Sequence, residues 1–188
     1  MKLILASASP RRAELLQQMG LEFDIKAVDI DESVDAGESP EAYVRRLALQ
    51  KARAAKKFYP AVDTLLLGSD TAVIVGADIL GKPTDKQHAF DMLRRLSGRS
   101  HTVLTSVAII GSEELCIVCQ SEVSFSMIDE QQLEWYWASG ESTGKAGAYG
   151  IQGKAAVFIK RIEGSFSGVM GLPIYETSQL LKQQGFKL

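Results

Sequence analysis

Acidic and cationic side chains occur in this chain at places where a fold would bury them. Asp70 stands between two apolar runs, "LLLGS" and "AVIV", a placement expected to put a carboxylate at the end of a core strand, where α/β proteins form their ligand sites; the alternative is a structural Asp in a turn. Lys51 falls within a stripe of Val44, Leu47, Ala48, Lys51, Ala55 and Phe58, so helical spacing turns its ammonium inward, where it needs an anionic partner. The alternative for Lys51 is a packed stem with the head in water. The stretch "LILASASPRR" breaks an apolar run into Ser7 and Ser9 and opens a helix with Pro10, Arg11 and Arg12. Hydroxyls and guanidiniums at a helix N-terminus complement a phosphate; equally, Ser9 can be a plain cap and the arginines a solvated face. Asp31 and Glu32, in the acidic loop "DIDESVDAGES", can join Asp70 around a divalent cation, because hard metals take oxygen ligands.

Two glycine-bearing stretches add to this set. "GADILGKP" has the G-x-x-x-x-G-K spacing of a P-loop, but Pro83 stands where a Ser or Thr hydroxyl and a backbone N–H are required. Lys82 can still meet a phosphate as a point charge. "GKAGAYGIQG" surrounds Lys145, Tyr149 and Gln152 with glycines. Backbone can approach a ligand closely there, and the Gln152 amide can hydrogen-bond a base edge; alone, the stretch is as easily a bulged turn. Cations for a polyphosphate, carboxylates for a metal and an amide for a base together describe a metal-dependent nucleotide hydrolase.

Composition narrows the alternatives. A net charge of −2 supplies no basic field for holding nucleic acid. Cys116 and Cys119 form a C-x-x-C inside the β-rich "LCIVCQSEVSFS", where a separation of three puts the thiols on opposite faces; they are read as ordinary strand residues. His88 and His101 are far apart in sequence, so neither a zinc cluster nor a nucleophile–histidine pair has a signature. No stretch approaches the ~20 apolar residues of a membrane span, and the apolar run after Met1 is too short for a signal peptide. A soluble, cytoplasmic protein without a membrane partner is expected. At 188 residues, 46% of them hydrophobic, a single domain over residues 1–188 is the expectation.

The elements that must position these residues alternate between helix and strand, which predicts an α/β class with a mixed sheet. Strands are expected at Lys2–Ala6 and Phe23–Val28, in "TLLLGSD" and "TAVIV", around His101–Ile110 and Leu115–Ser126 as an antiparallel pair, and in "AAVFIKRI". Helices are expected after Ser9 with Gly20 closing, from Ser39-Pro40 to about Tyr59 with Pro60 following, from about Asp85 to Leu96, near Asp129–Ala138, and from Pro173.

The blocks "LASASPRR", "RLALQKA", "GSDTAV", "GKP", "MLRRLSG", "KAGAYGIQG" and "VMGLPI", in this order over almost the whole chain, resemble the Maf family of nucleoside triphosphate pyrophosphatases, once called septum-formation proteins. The resemblance implies an ITPase-like fold, an elongated mixed β-sheet flanked by helices with a central cleft between two lobes. It also implies hydrolysis of a nucleoside triphosphate to monophosphate and pyrophosphate. By position, Asp70 matches the family's catalytic acid, described as the proton acceptor, with Glu32 near a divalent metal, Mg²⁺ or Mn²⁺, that Asp70 would share. Ser9, Arg11, Arg12, Lys51 and Lys82 match its polar and phosphate-site positions. Arg11, Thr71 and Gln152 resemble the branch acting on dTTP and UTP; the 7-methyl-GTP branch carries tryptophan, glutamine and glutamate there. Whether Asp70 removes a proton or chiefly holds the cation stays open at this level. The expected partner is the nucleotide, with a homodimer as a further candidate. The competing reading is a nucleotide-binding regulator of septum formation without turnover.

Overall fold

Leucine-rich and β-branched runs form the strands of a seven-stranded mixed sheet in the computed structural model of the chain, in which residues 1–59 and 63–187 are described. The strands are β1 (Lys2–Leu5), β2 (Asp24–Ile25), β3 (Thr64–Val75), β4 (Asp78–Leu80), β5 (Ser100–Ile110), β6 (Glu114–Phe125) and β7 (Ile159–Glu163), ordered β2-β1-β3-β5-β6-β7 with β4 also on β3. β1 pairs in parallel with β2 and β3, while β3–β4 and β6–β7 are antiparallel. Ser100 meets Ser124, and Ser106 meets Ile117, so β5 and β6 run antiparallel as expected. The helices are α1 (Pro10–Gln18), α2 (Pro40–Lys56), α3 (Lys86–Leu96), α4 (Glu130–Ala138), α5 (Phe166–Met170) and α6 (Ile174–Gln183).

Side-chain caps set the starts of α2, α3 and α4. The Ser39 hydroxyl accepts the Ala42 N–H, Asp85 accepts that of His88, and Asp129 forms a reciprocal box with Gln132. Ser9 holds the N-cap position of α1, but its side chain makes no capping bond. α2 ends three residues before Tyr59. Phe58 therefore leaves the stripe and is 58% exposed, with the Lys26 ammonium over its ring. Pro60, read as the stop for this helix, lies outside the described residues.

Three strand readings change. β2 is two residues long rather than six. "AAVFIKRI" begins as a 3₁₀ turn, Lys154–Phe158, and becomes a strand only at Ile159. "TLLLGSD" and "TAVIV" are one twelve-residue strand, so Asp70 lies inside β3 and not at its end. The glycine that looked like a breaker has another use. Gly68 faces α2, and a Cβ there would strike the Ala48 carbonyl oxygen and lie 2.8 Å from the Ala52 nitrogen. "GADILGKP" is not a P-loop: Gly76, at φ +64°, turns β3 into β4, and α3 starts only at Lys86.

The chain divides into two compact units, with boundaries inside β3, β5 and β6 and at the end of α5. The first comprises 1–70, 105–119 and 171–188; Ile4, Ala6, Ala52, Ala55, Leu66 and Ile110 form a core cluster between α2 and its strands. The second comprises 71–104 and 120–170, with a larger core in which Phe125, Tyr136 and Phe158 are fully buried.

Candidate active site

In the first unit, α2 and β3 approach closely at Gly68, and one turn of helix onward this approach brings Lys51 to Asp70. The Lys51 ammonium donates to Asp70 Oδ1 at 2.6 Å and reaches Glu32 Oε1 at 2.7 Å. Lys51 and Asp70 are each only 7% exposed, so the inward reading of Lys51 holds and the snorkelling one does not. Burial pushes the Asp70 carboxyl above its usual range, while the charges of Lys51 and Arg12 pull it back. Tyr43, two turns before Lys51 on the same helix face, donates its O–H to the Glu32 carbonyl at 3.0 Å. Burial, with the nearby charges of Asp70 and Glu32, pushes its phenol up to about 12.

Arg12 is buried as well. Its Nε donates to the Gly171 carbonyl at 2.9 Å and its Nη1 to Ser7 Oγ at 3.0 Å. Burial lowers its pKa, opposed by Asp70, yet a guanidinium keeps its proton at any ordinary pH. The reading of Arg12 as part of a solvated face therefore fails. The Gly171 carbonyl also accepts from Ser69 Oγ at 3.0 Å, and Ser7 Oγ accepts the Ser9 N–H at 3.2 Å. Arg11 stands half-buried in the first turn of α1.

The acid set is a pair, not a trio. Asp31 is exposed and spends Oδ1 on the Ser33 N–H at 2.8 Å, and among the described residues no group of three or more His, Cys, Asp or Glu could hold a metal ion. Asp70 and Glu32 nevertheless converge on one cationic point. Two carboxylates completed by substrate phosphates is the way Mg²⁺ is commonly bound, so these residues fit an ion shared with a nucleotide.

In the second unit, Thr71 follows Asp70 along β3, half-buried, and Lys82 is exposed between β4 and α3. Gln152 is exposed in the glycine-rich loop, whose neighbouring Ile151 is buried. Cys116 and Cys119 are half-buried residues of β6, in line with their reading as ordinary strand residues.

The sequence profile of the Maf family, described as "Maf-like protein", matches residues 2–184. The chain belongs to the Maf family. It is 50% identical over 189 residues to a dTTP/UTP pyrophosphatase of Hahella chejuensis, covering 100% of this chain and 94% of that one. Proteins of the same name from Acinetobacter baylyi and Hydrogenovibrio crunogenus are 49% and 46% identical, covering 95% and 98% of this chain and 97% of each relative.

Of the positions in this Maf chain read from the sequence, the structure brings Asp70, Lys51, Glu32 and Arg12 into one charged group in the first unit, with the Ser9 backbone N–H two hydrogen bonds from Arg12 through Ser7. Thr71, Lys82 and Gln152 belong to the second unit. Sequence reasoning missed Tyr43, Ser69 and Gly171. Tyr43 had a signal, since it lies eight residues before Lys51 on one helical stripe. A carbonyl acceptor such as that of Gly171 has none.

Proposed function

We propose that this Maf protein hydrolyses dTTP and UTP to the monophosphate and pyrophosphate. The observation that carries the reading is the buried Lys51–Asp70 pair, joined by the half-buried Glu32 and with Arg12 beside it, in a chain about half identical over its length to proteins named for that activity.

The chain's own groups suit the reaction. Asp70, buried and with its carboxyl held above the usual range, is placed to accept the proton of a water attacking the α-phosphorus. Arg12, oriented by Gly171 and Ser7, and Arg11 supply positive charge to the phosphates, and Lys51 fixes the acid pair until a phosphate competes for its ammonium. Ser9 adds a hydroxyl at the start of α1. Asp70 and Glu32 are the residues that would hold Mg²⁺ or Mn²⁺, which when bound would neutralise charge on the triphosphate. Gln152 carries both a donor and an acceptor, matching the mixed edge of uracil or thymine, and Arg11 and Thr71 share the branch pattern with it.

No helix among the described residues is long and apolar enough to cross a membrane, and we place the protein in the cytoplasm with the nucleotide pool, where it would limit incorporation of modified pyrimidine nucleotides and influence cell division. The test is a panel of nucleoside triphosphates assayed for monophosphate and pyrophosphate with and without Mg²⁺ or Mn²⁺. Metal-dependent release of pyrophosphate from dTTP and UTP, ahead of GTP and 7-methyl-GTP, is expected. Tight binding without turnover would instead support the regulator.

A further inference from the structure

The loop that carries Gln152 is fastened on both sides by groups the hydrolysis does not use. Before it, Tyr149 is almost fully buried, with its hydroxyl 2.8 Å from His101 Nε2. The rings of His101, Phe125 and Tyr149 meet edge to face, with centroids 4.9–5.5 Å apart. The next residue, Gly150, donates its N–H to the hydroxyl of the fully buried Tyr136 at 3.1 Å. After Gln152, the Gly153 N–H returns to the Gly150 carbonyl at 3.1 Å, and the Lys154 N–H is taken by Glu141 Oε2 at 2.8 Å. Upstream, Ala148 is held at φ +61°, a left-handed conformation that a residue with a Cβ keeps only when its surroundings impose it. Gln152 is thus an exposed side chain on an immobilised backbone.

We propose that Tyr136 and Tyr149, the latter backed by His101, are positioning residues for base selection: they fix the backbone from which Gln152 meets the pyrimidine. The inference rests on the reading of Gln152 given above. An amide discriminates between bases only if its donor and acceptor are presented in one orientation, since a mobile amide pairs with any edge. Tyr136→Phe and Tyr149→Phe each delete one hydroxyl and keep the ring.

The experiment compares kcat and KM for dTTP and GTP in the wild type, both Phe variants, Gln152→Ala, and the doubles that combine each Phe variant with Gln152→Ala, with melting temperatures alongside. Each Phe variant should lower the dTTP-to-GTP ratio of kcat/KM by about fivefold or more, mainly through KM for dTTP, with kcat within about twofold of wild type. In the Gln152→Ala background the same substitutions should change the ratio no further. Should Tyr136→Phe fail to fold, Tyr149→Phe, which strands no backbone N–H, carries the test alone. A collapsed ratio in Gln152→Ala with intact ratios in the Phe variants overturns the positioning role and spares the reading of Gln152. Equal losses on both nucleotides, tracking melting temperature, also overturn it. An intact ratio in Gln152→Ala overturns both.

Discussion

Gly68→Ala tests whether the approach of α2 to β3 is what assembles the acid–lysine cluster. The new methyl would meet backbone, not a flexible side chain: it strikes the Ala48 carbonyl oxygen and sits 2.8 Å from the Ala52 nitrogen and 3.1 Å from the Ala52 Cβ, where ordinary van der Waals contact begins at 3.4 Å. The helix must retreat by more than about half an ångström. Lys51 lies between those two residues in sequence, so its 2.6 Å bond to Asp70 lengthens with the retreat. Overpacking of this kind costs about 2 kcal/mol, a fall in Tm of roughly 4–8 °C for a chain of this size. Displacing a catalytic group by about 1 Å can cost about 100-fold in rate. The assay is dTTP turnover by pyrophosphate release at a temperature well below both melting points, with melts by circular dichroism. Turnover within a factor of three of wild type, at an unchanged Tm, would refute the reasoning.

Three further outcomes are expected. Asp70→Asn keeps shape and removes the charge, and kcat should drop by two or more orders of magnitude with Tm little changed; near-normal turnover in a direct assay would count against Asp70. In Lys51→Met the carboxyl of Asp70 loses a charge that pulls its pKa down, so the acid limb of kcat/KM for the residual activity should move to higher pH; a limb that stays in place or moves down would contradict the pairing. His101 is buried and its pKa falls from the ordinary 6.5 to about 4, so between those values the unfolded chain binds a proton the folded chain does not. Stability therefore rises with pH through that window and is lost on acidification from 6.5 towards 4, by up to about 3 kcal/mol. Urea melts across this range should show a flatter profile in His101→Gln, and an identical slope would exclude His101 as the source.

What could be read from the sequence depended on whether a residue's role was local. The caps at Ser39, Asp85 and Asp129 announce their helices because the partner N–H lies three residues on. Lys51 was legible because a helix fixes which face each residue takes, and its apolar neighbours declared that face. Asp70 was recognised for its carboxylate but misplaced within its strand. "GSD" has the composition of a turn, whereas Gly68 is there because a helix backbone crosses above it, and nothing within β3 records that crossing. Phe58 failed for a related reason: apolar spacing continues past the point where α2 stops. The Gly171 carbonyl, which orients Arg12 from 159 residues away, could be seen only in three dimensions.

That last contact bears on synthesis. The unit containing Asp70 and Lys51 is assembled from three separated pieces of chain, the final one being residues 171–188, and Gly171 accepts from both Arg12 and Ser69. A nascent chain on the ribosome can form β1, α1 and α2 early, but its Arg12 has no fixed aim until residue 171 has left the exit tunnel. Fragments released by premature termination or by cleavage upstream of Gly171 would therefore retain Asp70 and Lys51 without an oriented Arg12. Loss of the extreme downstream segment is accordingly a route to inactivation that removes none of Asp70, Lys51, Glu32 or Arg12.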